Sequence, residues 1–256
     1  MKMFCQTQGK GPELVLIHGW GLSGNVWEGI YAPLSQFARV TLLDLPGYGR
    51  SALMLDKEYN LVNLAAEIAH RINDDSIVLG WSLGGMIATQ MAVNFPQKVK
   101  KLILVASSPQ YYRSKNWPHA VDTEILQSFA SELVSDYKET ILRFLAIQAL
   151  GSDHSQEEIR LLRQRVFRDG TPKPTALQAG LDILLSANLR PILSDIHCSS
   201  LIINGQNDRL VPMKSGQTLS KLIAKSQLAI FKGASHAPFI SHPNTFIKLL
   251  EYFINV

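Results

Sequence analysis

The stretch GWSLGG, Gly80 to Gly85, follows directly on the apolar run Ile77–Leu79 and sets a serine between two glycines. It reads as a nucleophile elbow. A serine hydroxyl stands free for attack where the chain turns sharply from strand to helix, and that turn demands residues without a bulky Cβ at Gly80 and Gly84. Ser82 is therefore the candidate nucleophile. Glycine makes up about 7% of residues in general, so a bare GxSxG arises by chance in roughly one chain of this length in ten. The surroundings of the pentapeptide have to decide.

Those surroundings alternate strand and helix. Short apolar runs bounded by glycine, proline or aspartate recur at Leu14–Ile17, Val40–Leu43, Ile77–Leu79, Leu102–Val105, Leu201–Ile203 and Leu228–Phe231, and read as buried parallel strands. Helical period fills Leu61–Ile72 and Met86–Phe95 between them. The pattern predicts an α/β fold, a mostly parallel doubly wound sheet that binds ligands at the carboxyl ends of its strands. From about Gln110 to Arg190 the alternation stops, and helices are expected at Ile125–Val134, Tyr137–Leu150, Glu157–Phe167 and Thr175–Leu185. Residues 110–190 are accordingly read as a helical lid inserted in a core made of 1–109 and 191–256. The junctions SSPQ (Ser107–Gln110) and LRPIL (Leu189–Leu193) carry the breaker residues such boundaries need.

A serine hydroxyl is a weak nucleophile at neutral pH. It needs an imidazole to take its proton and a carboxylate to hold that imidazole in the right tautomer. In elbow hydrolases the order is serine, acid, histidine, each at a strand end. Asp208, in GQNDRLVP after Leu201–Ile203, and His236, in GASHAPF after Leu228–Phe231, fit that order. His242 precedes Pro243 at the start of the last helix and reads as a capping or surface residue; Asp195 lies before a strand, at the wrong end of the sheet. Oxyanion donors are expected from the backbone N–H of Leu83 and from the HGWG segment His18–Gly21, with Trp20 as donor.

At 256 residues, 46% hydrophobic and 18% charged, the composition is that of an ordinary globular protein. No uncharged apolar run approaches the roughly 20 residues that cross a bilayer, and MKMFCQTQGKGPE lacks the apolar core of a secretory signal. A cytoplasmic monomer is expected. The net charge of +4 is too small for a nucleic-acid footprint without accompanying motifs and reads as a solubility charge. Neither an HExxH motif nor a Walker loop occurs, and GYGRS at Gly47–Ser51 lacks the GxGxxG spacing, so no metal or cofactor is expected. Cys5 and Cys198 lie far apart outside any ligand spacing and are read as buried or incidental thiols.

With elbow, oxyanion segment and triad candidates in place, the chain resembles the α/β-hydrolase superfamily along essentially its whole length. DLPGYGRS at Asp44–Ser51, GWSLGG, GQNDRLVP and SHAPFISHP carry the likeness in the superfamily's order. Serine at position 82, where haloalkane dehalogenases and epoxide hydrolases carry aspartate, implies ester, thioester or amide chemistry. Within the superfamily, LIHGWGLSGNVW (Leu16–Trp27), VASSP (Val105–Pro109), RFLAIQ (Arg143–Gln148) and HAPFISHP (His236–Pro243) resemble the pimeloyl-[acyl-carrier protein] methyl ester carboxylesterases of biotin synthesis. That resemblance implies cleavage of the methyl ester to a free ω-carboxylate and methanol. It matches Ser82, Asp208 and His236 to the triad, and Trp20, Leu83 and the lid stretch Phe144, Leu145, Ala146, Ile147 and Gln148 to substrate-binding positions.

A reader of an acidic carrier protein needs an apolar tunnel with cations at its mouth. Phe144, Leu145 and Ile147 supply apolar surface, and Arg143, Arg160, Arg163, Arg165 and Arg168 lie on helical segments where several could face outward. Family matches favour Arg143 and Arg160 as carrier contacts, while Glu139 stands where the family can carry a basic residue. The spacings Glu139–Arg143 and Glu157–Arg160 equally suit ordinary helix-surface ion pairs. A general short-chain carboxylesterase or thioesterase, and a non-catalytic ligand receptor on the same fold, are the rival readings.

Overall fold

The computed structural model describes residues 3–53 and 58–256, apart from the side chain of residue 134. Among these residues seven strands, β1 (Cys5–Gln8), β2 (Glu13–Ile17), β3 (Arg39–Leu43), β4 (Ser76–Trp81), β5 (Val99–Val105), β6 (Ser199–Gly205) and β7 (Ser226–Phe231), form one sheet in the order β1-β3-β2-β4-β5-β6-β7. All neighbours are parallel except β1, which pairs antiparallel with β3. Each expected run lies inside a strand. β1 has no apolar signal, because all of CQTQ is exposed on the sheet edge. One reading needs correction: β7 is an edge strand, half-buried along most of its length rather than buried. Cys5 is exposed on β1 and Cys198 half-buried before β6, and both are free thiols, which of the two readings leaves the incidental one.

Helices α1 (Glu28–Leu34), α2 (Leu61–Ala69) and α3 (Leu83–Asn94) connect β2 through β5. The connection from β2 to β3 runs one way along the sheet, and those from β3 to β4 and β4 to β5 run the other way. Right-handed crossovers then put α1 on one face and α2 and α3 on the other. The packing of α2 on α3, and of α1 on the C-terminal α10 (Pro243–Asn255), agrees. α3 is buried from Leu83 to Ala92, so its sequence LGGMIATQMA is apolar or small nearly all round. The strand order reverses at β2, between β3 and β4, and such a switch point opens a crevice at the carboxyl ends. Ile17 of β2 pairs with Gly80 of β4 there, so the chain leaves β2 as HGWG beside the start of the serine turn.

Between β5 and β6 run α4 (Thr123–Ser135), α5 (Tyr137–Ala149), α6 (Ser155–Val166) and α7 (Pro174–Ser186), each overlapping an expected helix. The Leu189 N–H donates to the Pro109 carbonyl at 2.8 Å, tying the exit of this segment to its entry. α8 (Met213–Leu222) joins β6 to β7, and the single turn α9 (Pro238–Ser241) precedes α10.

Candidate active site

Ser82 sits between β4 and α3 at φ 55°, ψ −120°, a conformation L-residues avoid. The flanking glycines allow close approach rather than positive φ. A Cβ on Gly80 would lie 2.2 Å from the Gly84 carbonyl oxygen, and one on Gly84 would lie 2.4 Å from the Ile17 oxygen. The first turn of α3 is thereby pressed onto the end of β2. A Cβ on Gly19 would come within 3.2 Å of the Ser82 Cβ, so HGWG runs alongside the serine. The Leu83 N–H opens α3 and, as a first-turn amide, has no intrahelical acceptor.

His18 braces this segment. The Leu45 N–H donates to its Nε2 at 2.9 Å, which leaves the ring proton on Nδ1, 2.8 Å from the Gly19 carbonyl it donates to. Burial holds its pKa below the ordinary value, against the pull of Asp44, so the ring stays neutral. Asp44 in turn accepts from the Gly24 N–H at 2.7 Å and from the Arg50 N–H and Nε at 2.8 Å, which ties the turn after HGWG to the loop after β3.

His236 lies on the loop after β7 with its Nδ1 2.8 Å from Asp208 Oδ2, both side chains fully buried. Asp208 Oδ1 accepts from the backbone N–H groups of Leu210 at 2.8 Å and Val211 at 2.9 Å, so its carboxylate cannot turn. The indole N–H of Trp81 donates to the His236 carbonyl at 2.8 Å and brings that loop to the residue preceding Ser82. His236 Nε2 is buried without a hydrogen-bond partner, an orphan acceptor of the kind that marks a reactive position. The Ser82 hydroxyl is engaged elsewhere: Tyr111 Oη donates to Ser82 Oγ at 3.3 Å.

The segment between β5 and β6 closes over these groups. The Trp20 indole donates to the Leu177 carbonyl of α7 at 2.8 Å, and its ring meets Phe144 of α5 edge-on at 4.9 Å. The His236 N–H donates to the Gln148 carbonyl at the end of α5 at 3.1 Å. Leu145 is buried in the core, whereas Ala146 and Ile147 are half-buried. Ser82 is left only 2% exposed and His236 0%. His242 does precede α10, but its side chain caps nothing and contacts Ser241 Oγ; Asp195 is exposed ahead of β6.

Of the arginines, Arg143 pairs with Glu132 of α4, not with Glu139, because α4 and α5 pack against each other. Arg160 does pair with Glu157. Arg165 is buried, donating to the Val26 carbonyl, and Arg168 pairs with Glu28. Arg163 is exposed with no ion pair among the described residues.

Sequence reasoning passed over Tyr111 and Glu158, and gave His18 and Asp44 no role beyond opening the HGWG and DLPGYGRS stretches. Glu158 of α6 is fully buried, takes a hydrogen bond from the Ser152 hydroxyl, and leaves Oε2 unpartnered. Burial, with Asp208 adding to it, pushes its pKa from 4.5 up to about 7. An acid that ionises later in the native state than in the unfolded chain costs stability as pH rises through that window. Native stability is therefore expected to fall between pH 4.5 and about 7 on account of this group. Each pKa unit is worth about 1.4 kcal/mol, so Glu158→Gln should recover up to about 3 kcal/mol at pH 8 and little below pH 4.5, read from urea melts at both pH values.

The sheet order, with helices on both faces, is that of the alpha/beta hydrolases. A family model described as alpha/beta hydrolase fold matches residues 12–243, and the chain belongs to that family. It is 42% identical over 254 residues to the pimeloyl-[acyl-carrier protein] methyl ester esterase of Aeromonas hydrophila, covering 99% of this chain and 100% of that protein. Proteins of the same name from Photobacterium profundum (42% identical, 97% of each chain) and Vibrio vulnificus (39%, covering 97% of this chain and 96% of that one) are similarly related. Among solved structures, an esterase from Exiguobacterium antarcticum superposes with a TM-score of 0.88 at 22% identity, over 99% of this chain and 96% of that one, a likeness of fold.

Proposed function

We propose that this chain is a serine carboxylesterase that hydrolyses the methyl ester of pimeloyl-[acyl-carrier protein] to pimeloyl-[acyl-carrier protein] and methanol in biotin synthesis. Kinship to esterases of that name over nearly the whole chain carries the choice of substrate. The strained Ser82 beside the buried His236–Asp208 pair supports the chemistry.

In this reading the Ser82 hydroxyl turns to His236 Nε2, gives up its proton and attacks the ester carbonyl. The N–H groups of Leu83 and Trp20 hold the oxyanion, and Asp208 stabilises the imidazolium through Nδ1. The intermediate collapses as His236 returns the proton to the departing methoxide. Water, deprotonated by the same ring, then attacks the acyl-enzyme; the carboxylate leaves and Ser82 recovers its proton.

Residues 110–190 act as the lid in this proposal, with Phe144 and Gln148 framing the acyl chain beside Trp20. Because Ser82 is sealed, the acyl chain enters only when α5 and α7 shift away from Trp20 and the His236 loop. Arg143 and Arg160 are proposed to meet acidic side chains of the carrier protein. Their exposed ion pairs with Glu132 and Glu157 are held weakly against solvent and can be exchanged for a partner's carboxylates. No described helix is long and apolar enough to cross a membrane, and we place the enzyme in the cytoplasm as a monomer.

The test is competition between the carrier-bound pimeloyl methyl ester and p-nitrophenyl butyrate. The proposal expects kcat/KM for the carrier-bound ester to be at least tenfold the larger and to fall with added salt as charge attraction is screened. Equal values indifferent to salt would establish a general short-chain esterase. Failure to label with a fluorophosphonate would point to a non-catalytic receptor.

A further inference from the structure

Among the described residues, the side chain that hydrogen-bonds to the Ser82 hydroxyl is that of Tyr111. It lies six residues beyond the end of β5, in the irregular stretch that leads into α4, and is 3% exposed. Its position is built rather than incidental. Ala106, directly after β5, is held at φ 44°, and its N–H donates to the Ile203 carbonyl of β6 at 2.7 Å. This strained turn sets the Ala106 carbonyl 3.4 Å from Tyr111 Oη, a second and longer acceptor for the phenol's one proton, while Ser107 Oγ donates to the Ser82 carbonyl at 2.9 Å. The far side of Tyr111 is pinned through its backbone, whose carbonyl accepts from the Val121 N–H at 3.1 Å. Strain of this kind persists where the surroundings over-determine it, and here it sets a phenol against a nucleophile.

We propose that Tyr111 is a catalytic residue whose phenolic O–H donates to Ser82 Oγ and stabilises the negative charge that oxygen carries during attack and again during release. The inference rests on Ser82 being the nucleophile. Oγ has one proton and two lone pairs, so it can give the proton to His236 Nε2 while a lone pair accepts from Tyr111. As the O–H bond of serine breaks, the bond from Tyr111 becomes one to a charged acceptor and strengthens. When the second tetrahedral intermediate collapses, the C–Oγ bond breaks, the electron pair returns to Oγ, and the same O–H receives it until His236 delivers the proton. No proton leaves the phenol at any step. Burial raises the Tyr111 pKa well above its ordinary value, which keeps the group a neutral donor across the working range of pH.

Because the contact is to Oγ and not to the leaving group, its loss should slow methyl and p-nitrophenyl esters by the same factor. For Tyr111→Phe, kcat is expected to drop roughly tenfold to hundredfold with KM unchanged. The rate of fluorophosphonate labelling at Ser82 should drop by the same factor, with an unaltered melting temperature. Labelling and kcat within twofold of native would overturn the proposal, and so would an increase in either, which would make the contact a restraint on the serine. Should Tyr111→Phe not fold, a trifluorotyrosine placed at 111 decides. Its more acidic phenol should add an alkaline limb to the kcat profile as it ionises and stops donating; a profile identical to native would count against the proposal. Labelling of the native chain at a residue other than Ser82 would instead remove the underlying assignment.

Discussion

Ser82→Ala is expected to lower kcat by about a million-fold, because once the nucleophile is gone the remaining groups act on nothing covalent. The fold should survive. Ser82 is 2% exposed and its hydroxyl takes a long hydrogen bond from Tyr111, so a methyl group fills the same space with little lost. A companion substitution separates chemistry from strain. Alanine at φ 55°, ψ −120° carries the same backbone penalty as serine, on the order of 1–3 kcal/mol, whereas glycine does not. Glycine costs about 0.5–1 kcal/mol more in unfolded-state entropy. Ser82→Gly should therefore be more stable than Ser82→Ala by about 1 kcal/mol in urea denaturation, and equally inactive. Retained hydrolysis by either variant would end the assignment of Ser82.

Asp208→Asn is expected to cost about ten-thousand-fold in kcat, and the hydrogen bonds around the carboxylate say why. The backbone N–H groups of Leu210 and Val211 both donate to Oδ1. An asparagine must keep its oxygen there, since turning its amide group round would set donor against donor. Its NH2 then faces His236 Nδ1, which becomes the acceptor, and the ring proton moves to Nε2. An imidazole protonated at Nε2 cannot take the serine proton. Nitrogen-15 NMR of the His236 ring would show the tautomer change directly, and a variant that kept both the native tautomer and the activity would refute the mechanism.

The alternation of short apolar runs with helical period made the fold class legible, because burial on both faces of a parallel sheet leaves continuous apolar strands. β1 was invisible for the opposite reason: an exposed antiparallel edge has nothing to bury, so CQTQ carries no hydrophobic mark. Glu139 and Arg143 show a second limit. Their spacing is correct for a pair on one helix, yet packing of α4 against α5 offered Arg143 the carboxylate of Glu132. Tyr111 and Glu158 show a third, since neither lies in a motif and each acquires its chemistry from what the chain folds against it.

GWSLGG, read with the apolar run before it and the alternation of strands and helices around it, determined where the chain turns and which hydroxyl stands at the turn, because apolar periodicity and turn propensity are written in neighbouring residues. The apolar runs ahead of Asp208 and His236 placed each at a strand end for the same local reason. Only the tertiary structure decided what surrounds those groups. It closed α5 and α7 over Trp20 and Ser82, left His236 Nε2 without a partner, and turned the serine hydroxyl to Tyr111. Those contacts join residues distant in sequence, and distances between such residues are settled by packing, which no short stretch of chain specifies.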